Sequence, residues 1–125
     1  MQEGVIILGH GSRLPEANKE IEQIGQMVGK RFGRALIETC FLQFGEPGLP
    51  LAVERLVNKG IKKITVVPLL LVVGSHIAID VPEILSQQRK LYPEVSFYLA
   101  PHLGADPRIV EIVLERIKQG SELLN

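Results

Sequence analysis

Val5-Ile6-Ile7-Leu8-Gly9-His10 is a run of aliphatic residues that stops at a glycine and a histidine. Two later segments repeat the arrangement: Val66-Val67-Pro68-Leu69-Leu70-Leu71-Val72-Val73-Gly74-Ser75-His76 and Val95-Ser96-Phe97-Tyr98-Leu99-Ala100-Pro101-His102. Short apolar runs bounded by turn residues read as buried strands. If these strands are parallel, all three imidazoles fall at the carboxyl edge of one sheet, where open α/β sheets take their ligands.

Outward from these runs, strand-like segments near residues 4–9, 35–42, 62–73 and 94–100 alternate with stretches of helical spacing. Ala17, Ile21, Ile24 and Val28 mark one face of a first helix, and Leu49, Val53, Leu56 and Val57 one face of a second. Val81, Ile84, Leu85 and Leu91 do so for a third, and Ile109, Val110, Val113, Leu114 and Ile117 for a fourth. The order βαβαβαβα, with strands of Val, Ile and Leu, predicts an α/β fold in which helices cover both faces of a four-stranded parallel sheet. Pro15 opens the first helix and Gly60 ends the second. Asp80 reads as the cap of the third, with Pro82 in its first turn, and Asp106 as the cap of the fourth, with Pro107 at its first position. Gly120 ends the fourth helix, and the tail from about residue 120 reads as loose. Residues 1–125 form one domain without repeat or linker.

Pro68 complicates the third strand, because it lacks the N–H that a central ladder uses. The strand either continues toward Val73 or turns out of the sheet there. In the second case Leu69 to Val73 line a pocket or an interface, since five exposed apolar side chains are a liability on a monomer.

Composition narrows the function classes. A chain of 125 residues with 46% hydrophobic and 22% charged residues builds its own core, and its zero formal charge gives no general attraction to nucleic acid or membrane. Cys40 is the only cysteine, which rules out an intrachain disulfide and Cys₄ or Cys₂His₂ zinc modules. The longest apolar stretch, residues 64–74, is too short to span a bilayer, and no signal-like segment precedes the first strand. The expected location is cytoplasmic.

Three constellations carry chemistry. In Leu8-Gly9-His10-Gly11-Ser12-Arg13, glycines flank a strand-end histidine and let a bulky ligand approach it. The G-x-G there lacks the third fingerprint glycine, and no P-loop G-K-[ST] follows. Gly74-Ser75-His76 repeats strand, histidine and helix. Two neutral imidazoles from neighbouring strand ends suit a borderline divalent ion such as cobalt, nickel, iron or zinc. Glu46, in Phe41-Leu42-Gln43-Phe44-Gly45-Glu46-Pro47, is read alone as a solvated loop residue and, beside the imidazoles, as a third ligand or a base. His102 reads as a peripheral surface histidine.

The ordered set of motifs resembles the short, single-lobe class II tetrapyrrole chelatases, centred on the sirohydrochlorin cobaltochelatases. It comprises residues 8–13, Phe41-Leu42 with Glu46-Pro47, Val67-Pro68-Leu69 through Gly74 and His76, Asp80-Val81-Pro82, and Leu103-Gly104-Ala105-Asp106-Pro107. Gln43 departs from the pattern, standing where relatives are expected to carry a carboxylate. The resemblance implies a chelatase-like three-layer sandwich and insertion of Co²⁺ into sirohydrochlorin, with loss of two pyrrole protons, in cobalamin biosynthesis. Ni²⁺ and Fe²⁺ are the alternative ions. It also implies that His10 and His76 bind the metal and assist deprotonation, that Glu46 shares the proton work, and that the chain pairs as a homodimer. The metal is then a substrate and no permanent cofactor is required. Leu69, Leu70, Leu71, Val72 and Val73, with Gly74 and Ser75, would wall a flat macrocycle, while Gly11, Ser12 and Arg13 meet its carboxylates. Two competing readings are a phosphotransfer domain using His10 and a module that holds a tetrapyrrole or metal without turnover.

Overall fold

The computed structural model describes residues 2–33 and 35–120. Along them run β1 (Glu3–Gly9), α1 (Pro15–Phe32), β2 (Ala35–Phe41), α2 (Leu49–Asn58), β3 (Lys63–Pro68), α3 (Ser75–Leu91), β4 (Ser96–Leu99) and α4 (Pro107–Gly120). The four strands form one sheet in the order β2-β1-β3-β4, every pair parallel. The expected βαβαβαβα architecture is therefore present. The loose tail expected from about residue 120 lies beyond the described residues.

β1 is central and buried on both faces. Ile6 and Leu8 point to the face shared with Cys40, Ile64 and Val66, where Leu49, Ala52, Val53 and Leu56 of α2 and Val81 and Leu85 of α3 complete the main core. Burial, with Glu38 nearby, pushes the Cys40 thiol up to about 12, so the single cysteine stays protonated and inert.

Val5 and Ile7 face the other way, toward α1. That helix comes close because it presents glycine: Gly25 is its one buried residue, and a β-carbon there would collide with Thr39 Oγ1. A β-carbon on Gly29 would stand 3.2 Å from Ile37 Cγ1. The aliphatic stripe read from the sequence is thus secondary to a pair of close approaches.

α1 covers only half of this face. Thr65 and Tyr98 continue the row of Val5, and Val67 continues that of Ile7. Thr65 and Val67 stay half-exposed, and Tyr98 is 52% exposed. Helices were expected to cover both faces of the sheet. Instead α4 buries none of its residues, leaving Val113 49% and Ile117 63% exposed. Its apolar stripe is intact and unused.

One open alternative is decided, for the chain turns out of the sheet after Pro68, and one expectation, the start of α3, is corrected. β3 stops at Pro68, where Leu69 N–H makes a last bond to Leu8 O at 2.8 Å, because β1 itself ends at Gly9 and offers no further ladder. α3 begins at Ser75, with Gly74 in the cap position, so Asp80 does not cap it and Pro82 lies inside it. Ala78 N–H already donates to Gly74 O at 3.0 Å. At the fourth helix the expected cap is present: Asp106 Oδ1 accepts from Arg108 N–H at 2.9 Å, and Pro107 is the first helical residue.

The glycine contact gives a direct test of the α1 layer. Gly25→Val should cost about 2 kcal/mol of unfolding free energy in urea, the scale of overpacking at a tight contact. Adding Thr39→Ala should recover part of that loss; no recovery would place the strain elsewhere.

Candidate functional site at the carboxyl edge

The ends of β1 and β3 are neighbours, and each carries a histidine onto the same rim. His10 directly follows Gly9, the last residue of β1. His76 follows six residues of loop after Pro68 and sits in the first turn of α3, rather than in a turn ahead of a helix capped by Asp80. Both side chains are exposed, as capture of an ion from solvent requires.

The turn carrying His10 is tied down from β2. Leu42 N–H donates to Gly9 O and Gln43 N–H to His10 O, each at 3.1 Å. Gly11, at φ 95°, lies directly against the Gln43 carbonyl, which a β-carbon would strike. Asn18, from α1, clips the two loops together. Its Oδ1 accepts from Ser12 N–H at 2.9 Å, and its Nδ2 donates to Ser12 O at 2.9 Å and Phe44 O at 3.0 Å. Ser12 Oγ accepts from Leu14 N–H at 3.1 Å. Arg13 lies over the Phe44 ring, 4.6 Å from its centroid, which keeps a cation at the rim.

Beside His10 stands Gln43, whose Nε2 is 3.2 Å from the ring Nδ1. Glu46 goes elsewhere. Phe41 N–H donates to Pro47 O at 3.0 Å, which folds the 42–48 loop back along β2. The carboxylate therefore lines a groove of about 380 Å³ with Glu22, Gln26 and Arg55. Among the described residues no three His, Cys, Asp or Glu side chains cluster as a metal site.

The segment 69–74 leaves the sheet and exposes its middle: Leu71 and the 80% exposed Val72 project into solvent. Leu103 N–H donates to Leu70 O at 3.1 Å, tying the loop after β4 to this segment. That tie corrects the peripheral reading of His102. The residue is half-buried and lines an apolar cavity of about 130 Å³ with Val73, Ile77, Ala78 and Pro68, against the turn that carries His76.

The structure thus gathers His10, Gly11, Ser12, Arg13, His76 and residues 69–75 on one edge and sets Glu46 apart. Asn18, Phe44 and the contact of Gln43 with His10 were not visible in the sequence. An asparagine inside a helical pattern and a glutamine in a loop read as solvated surface, and only their long-range partners give them a role.

A family model described as CbiX matches residues 4–120. The sirohydrochlorin cobaltochelatase of Methanopyrus kandleri is 33% identical over 135 residues, covering 92% of this chain and 94% of that protein. The Priestia megaterium protein of the same description is 32% identical over 120 residues, covering 96% of this chain. The chain spans only 39% of that longer relative. Among solved structures, the sirohydrochlorin chelatase SirB of Bacillus subtilis subspecies spizizenii in complex with cobalt superimposes with a TM-score of 0.88 at 29% identity. The match covers 95% of this chain and 51% of SirB.

The lacing of the two turns makes Gly11 the rim residue least able to carry a side chain. Gly11→Ala should lose about 2–3 kcal/mol in urea unfolding through left-handed strain and collision with the Gln43 carbonyl. A loss below about 0.5 kcal/mol, the range of ordinary surface substitutions, would show that the loops part freely.

Proposed function

The chain belongs to the CbiX family, and from that premise we propose that it inserts Co²⁺ into sirohydrochlorin, releasing two pyrrole protons, as a step of cobalamin biosynthesis. The observation that carries this reading is the pair of exposed histidines on the carboxyl edge of the sheet, one directly after β1 and one in the first turn of α3, beside an apolar loop. Ni²⁺ and Fe²⁺ are the competing ions, because imidazole donors suit several borderline metals.

The metal is a substrate. Each neutral imidazole offers one lone pair and no charge, so His10 and His76 take an ion from water without holding it irreversibly. As the ion moves into the macrocycle, two N–H protons need acceptors. An imidazole nitrogen that has released the ion has a lone pair able to take a proton, so the groups that deliver the ion also accept what it displaces. We assign Glu46 no contact with the ion, since its carboxylate lines the groove along β2.

Leu69 to Val73 give the macrocycle an apolar wall. Arg13 meets peripheral carboxylates, helped by the Ser12 turn, Gly11, and the start of α3 at Gly74 and Ser75. The last of these has no side-chain cap, and its free N–H groups favour anions. No resident cofactor enters the scheme.

The same reading makes residues 1–125 one lobe that works as a homodimer. Support comes from the unused apolar face of α4 and from longer relatives that devote about twice this length to their chains. Among the described residues no helix is long and apolar enough to cross a membrane, so an exposed apolar helix face is better matched to a second copy.

Mixing protein, sirohydrochlorin and Co²⁺ should change the macrocycle absorption spectrum catalytically. His10→Ala and His76→Ala should each slow the change by about 100-fold or more; full activity in both variants would reject the assignment. Sedimentation should give twice the mass of one chain, and Val113→Asp with Ile117→Asp should halve it while leaving the far-ultraviolet spectrum intact. A wild-type monomer would refute the pairing.

A further inference from the structure

His10 Nδ1 has two neighbours that ask opposite things of it. Gln43 Nε2 lies 3.2 Å away and, as an amide nitrogen, can only donate, so in this orientation it calls for a bare Nδ1. Gly11 O lies 3.4 Å away and can only accept, so it is satisfied when Nδ1 carries hydrogen. A neutral imidazole has one protonated and one bare nitrogen. With the amide nitrogen inward, the proton sits on Nε2. With the amide turned over, Gln43 Oε1 and Gly11 O both accept from Nδ1–H, and the lone pair moves to Nε2.

We propose that Gln43 is a positioning residue that sets the tautomer of His10, and that turning its amide over frees Nε2 for the metal ion or for a pyrrole proton. The neighbouring backbone makes this specific. Gln43 N–H is bonded to His10 O, and Gly11 packs on the Gln43 carbonyl, so the two residues are registered to each other before their side chains meet. Neither partner needs to move for the switch, because rotation of one amide exchanges donor for acceptor. A carboxylate in this place would only accept, fixing Nδ1–H permanently and adding a negative charge beside the ion. The amide gives orientation without charge. It leaves the ion exchangeable and lets the ring accept a proton at Nε2, with Oε1 then holding Nδ1–H.

The kinetic consequence rests on the metal-insertion reading, whereas the tautomer does not, so the test has two arms. Nitrogen-15 NMR of the metal-free protein, at a pH where the shifts report a neutral ring, reads the two His10 nitrogens directly. Wild type should show Nδ1 bare and Nε2 protonated. Gln43→Met should move the tautomer ratio by about fivefold, the scale one neutral hydrogen bond supports, and Gln43→Glu should invert it. Equal ratios in all three proteins, or a protonated Nδ1 in wild type, would overturn the proposal whether or not the chain inserts metal. In the insertion assay Gln43→Met should lower kcat/KM for Co²⁺ by about tenfold. Gln43→Glu, which holds Nδ1–H and leaves Nε2 bare, should lower KM for Co²⁺; an unchanged or raised KM would mark a merely structural role. Wild type without insertion activity, but with the expected tautomers, would sink the functional reading and leave this one standing.

Discussion

The carbonyls of Leu8 and Gly9, at the end of the central strand, point in opposite directions, and each holds one wall of the site. Leu8 O accepts from Leu69 N–H and fixes where the loop after β3 departs, while Gly9 O accepts from Leu42 N–H and fixes the loop after β2. His10 comes next, between two segments hung on the preceding residues. This is ordinary strand alternation carried one step past the sheet. It explains how an exposed rim of loops holds a defined geometry without a disulfide. The buried faces of Ile6 and Leu8 supply the packing that keeps the anchor in place.

From that anchor the molecule divides into a finished half and an open half. On the side of α2 and α3 the core is closed. On the side of α1 the cover stops after β1, and Thr65, Val67 and Tyr98 continue the rows of Val5 and Ile7 into solvent. The unused stripe on α4 has the chemistry such a surface needs, yet the helix does not settle on it. Relatives of about twice the length have more chain with which to meet such a demand.

What was legible in the sequence follows from how local each signal is. The βαβ alternation is written in hydrophobic periods that repeat along every element, so the strand order could be approached from pattern and handedness alone. Boundaries were less so. Residues 69–73 stay apolar past Pro68, and only the end of β1 at Gly9 reveals that the ladder has run out. Asp80 followed by Pro82 satisfies the local rules for a helix start, and so does Gly74 before Ser75; the earlier start won because the chain had already left the sheet. The course of the loop that carries Glu46 is set by the bond from Phe41 N–H to Pro47 O, which no spacing announces. Gln43 could be noted as unusual, but its meeting with His10 joins residues 33 apart and is written only in three dimensions.

The polar economy of the rim bears on what the site is for. A site meant to keep a divalent ion surrounds it with carboxylates or thiolates and closes over it. Here the thiol is buried in the core, the nearest loop carboxylate is folded away along β2, and the group that touches His10 is a neutral amide. The cation at the rim, Arg13, is stacked on Phe44 rather than paired with an acid. Each choice weakens retention of a metal. Beside these groups the rim exposes the apolar side chains of Leu71 and Val72. Weak holding of the ion is one condition for handing a metal on, and a rim with two exposed imidazoles and no cluster of three metal-binding side chains among the described residues suits it.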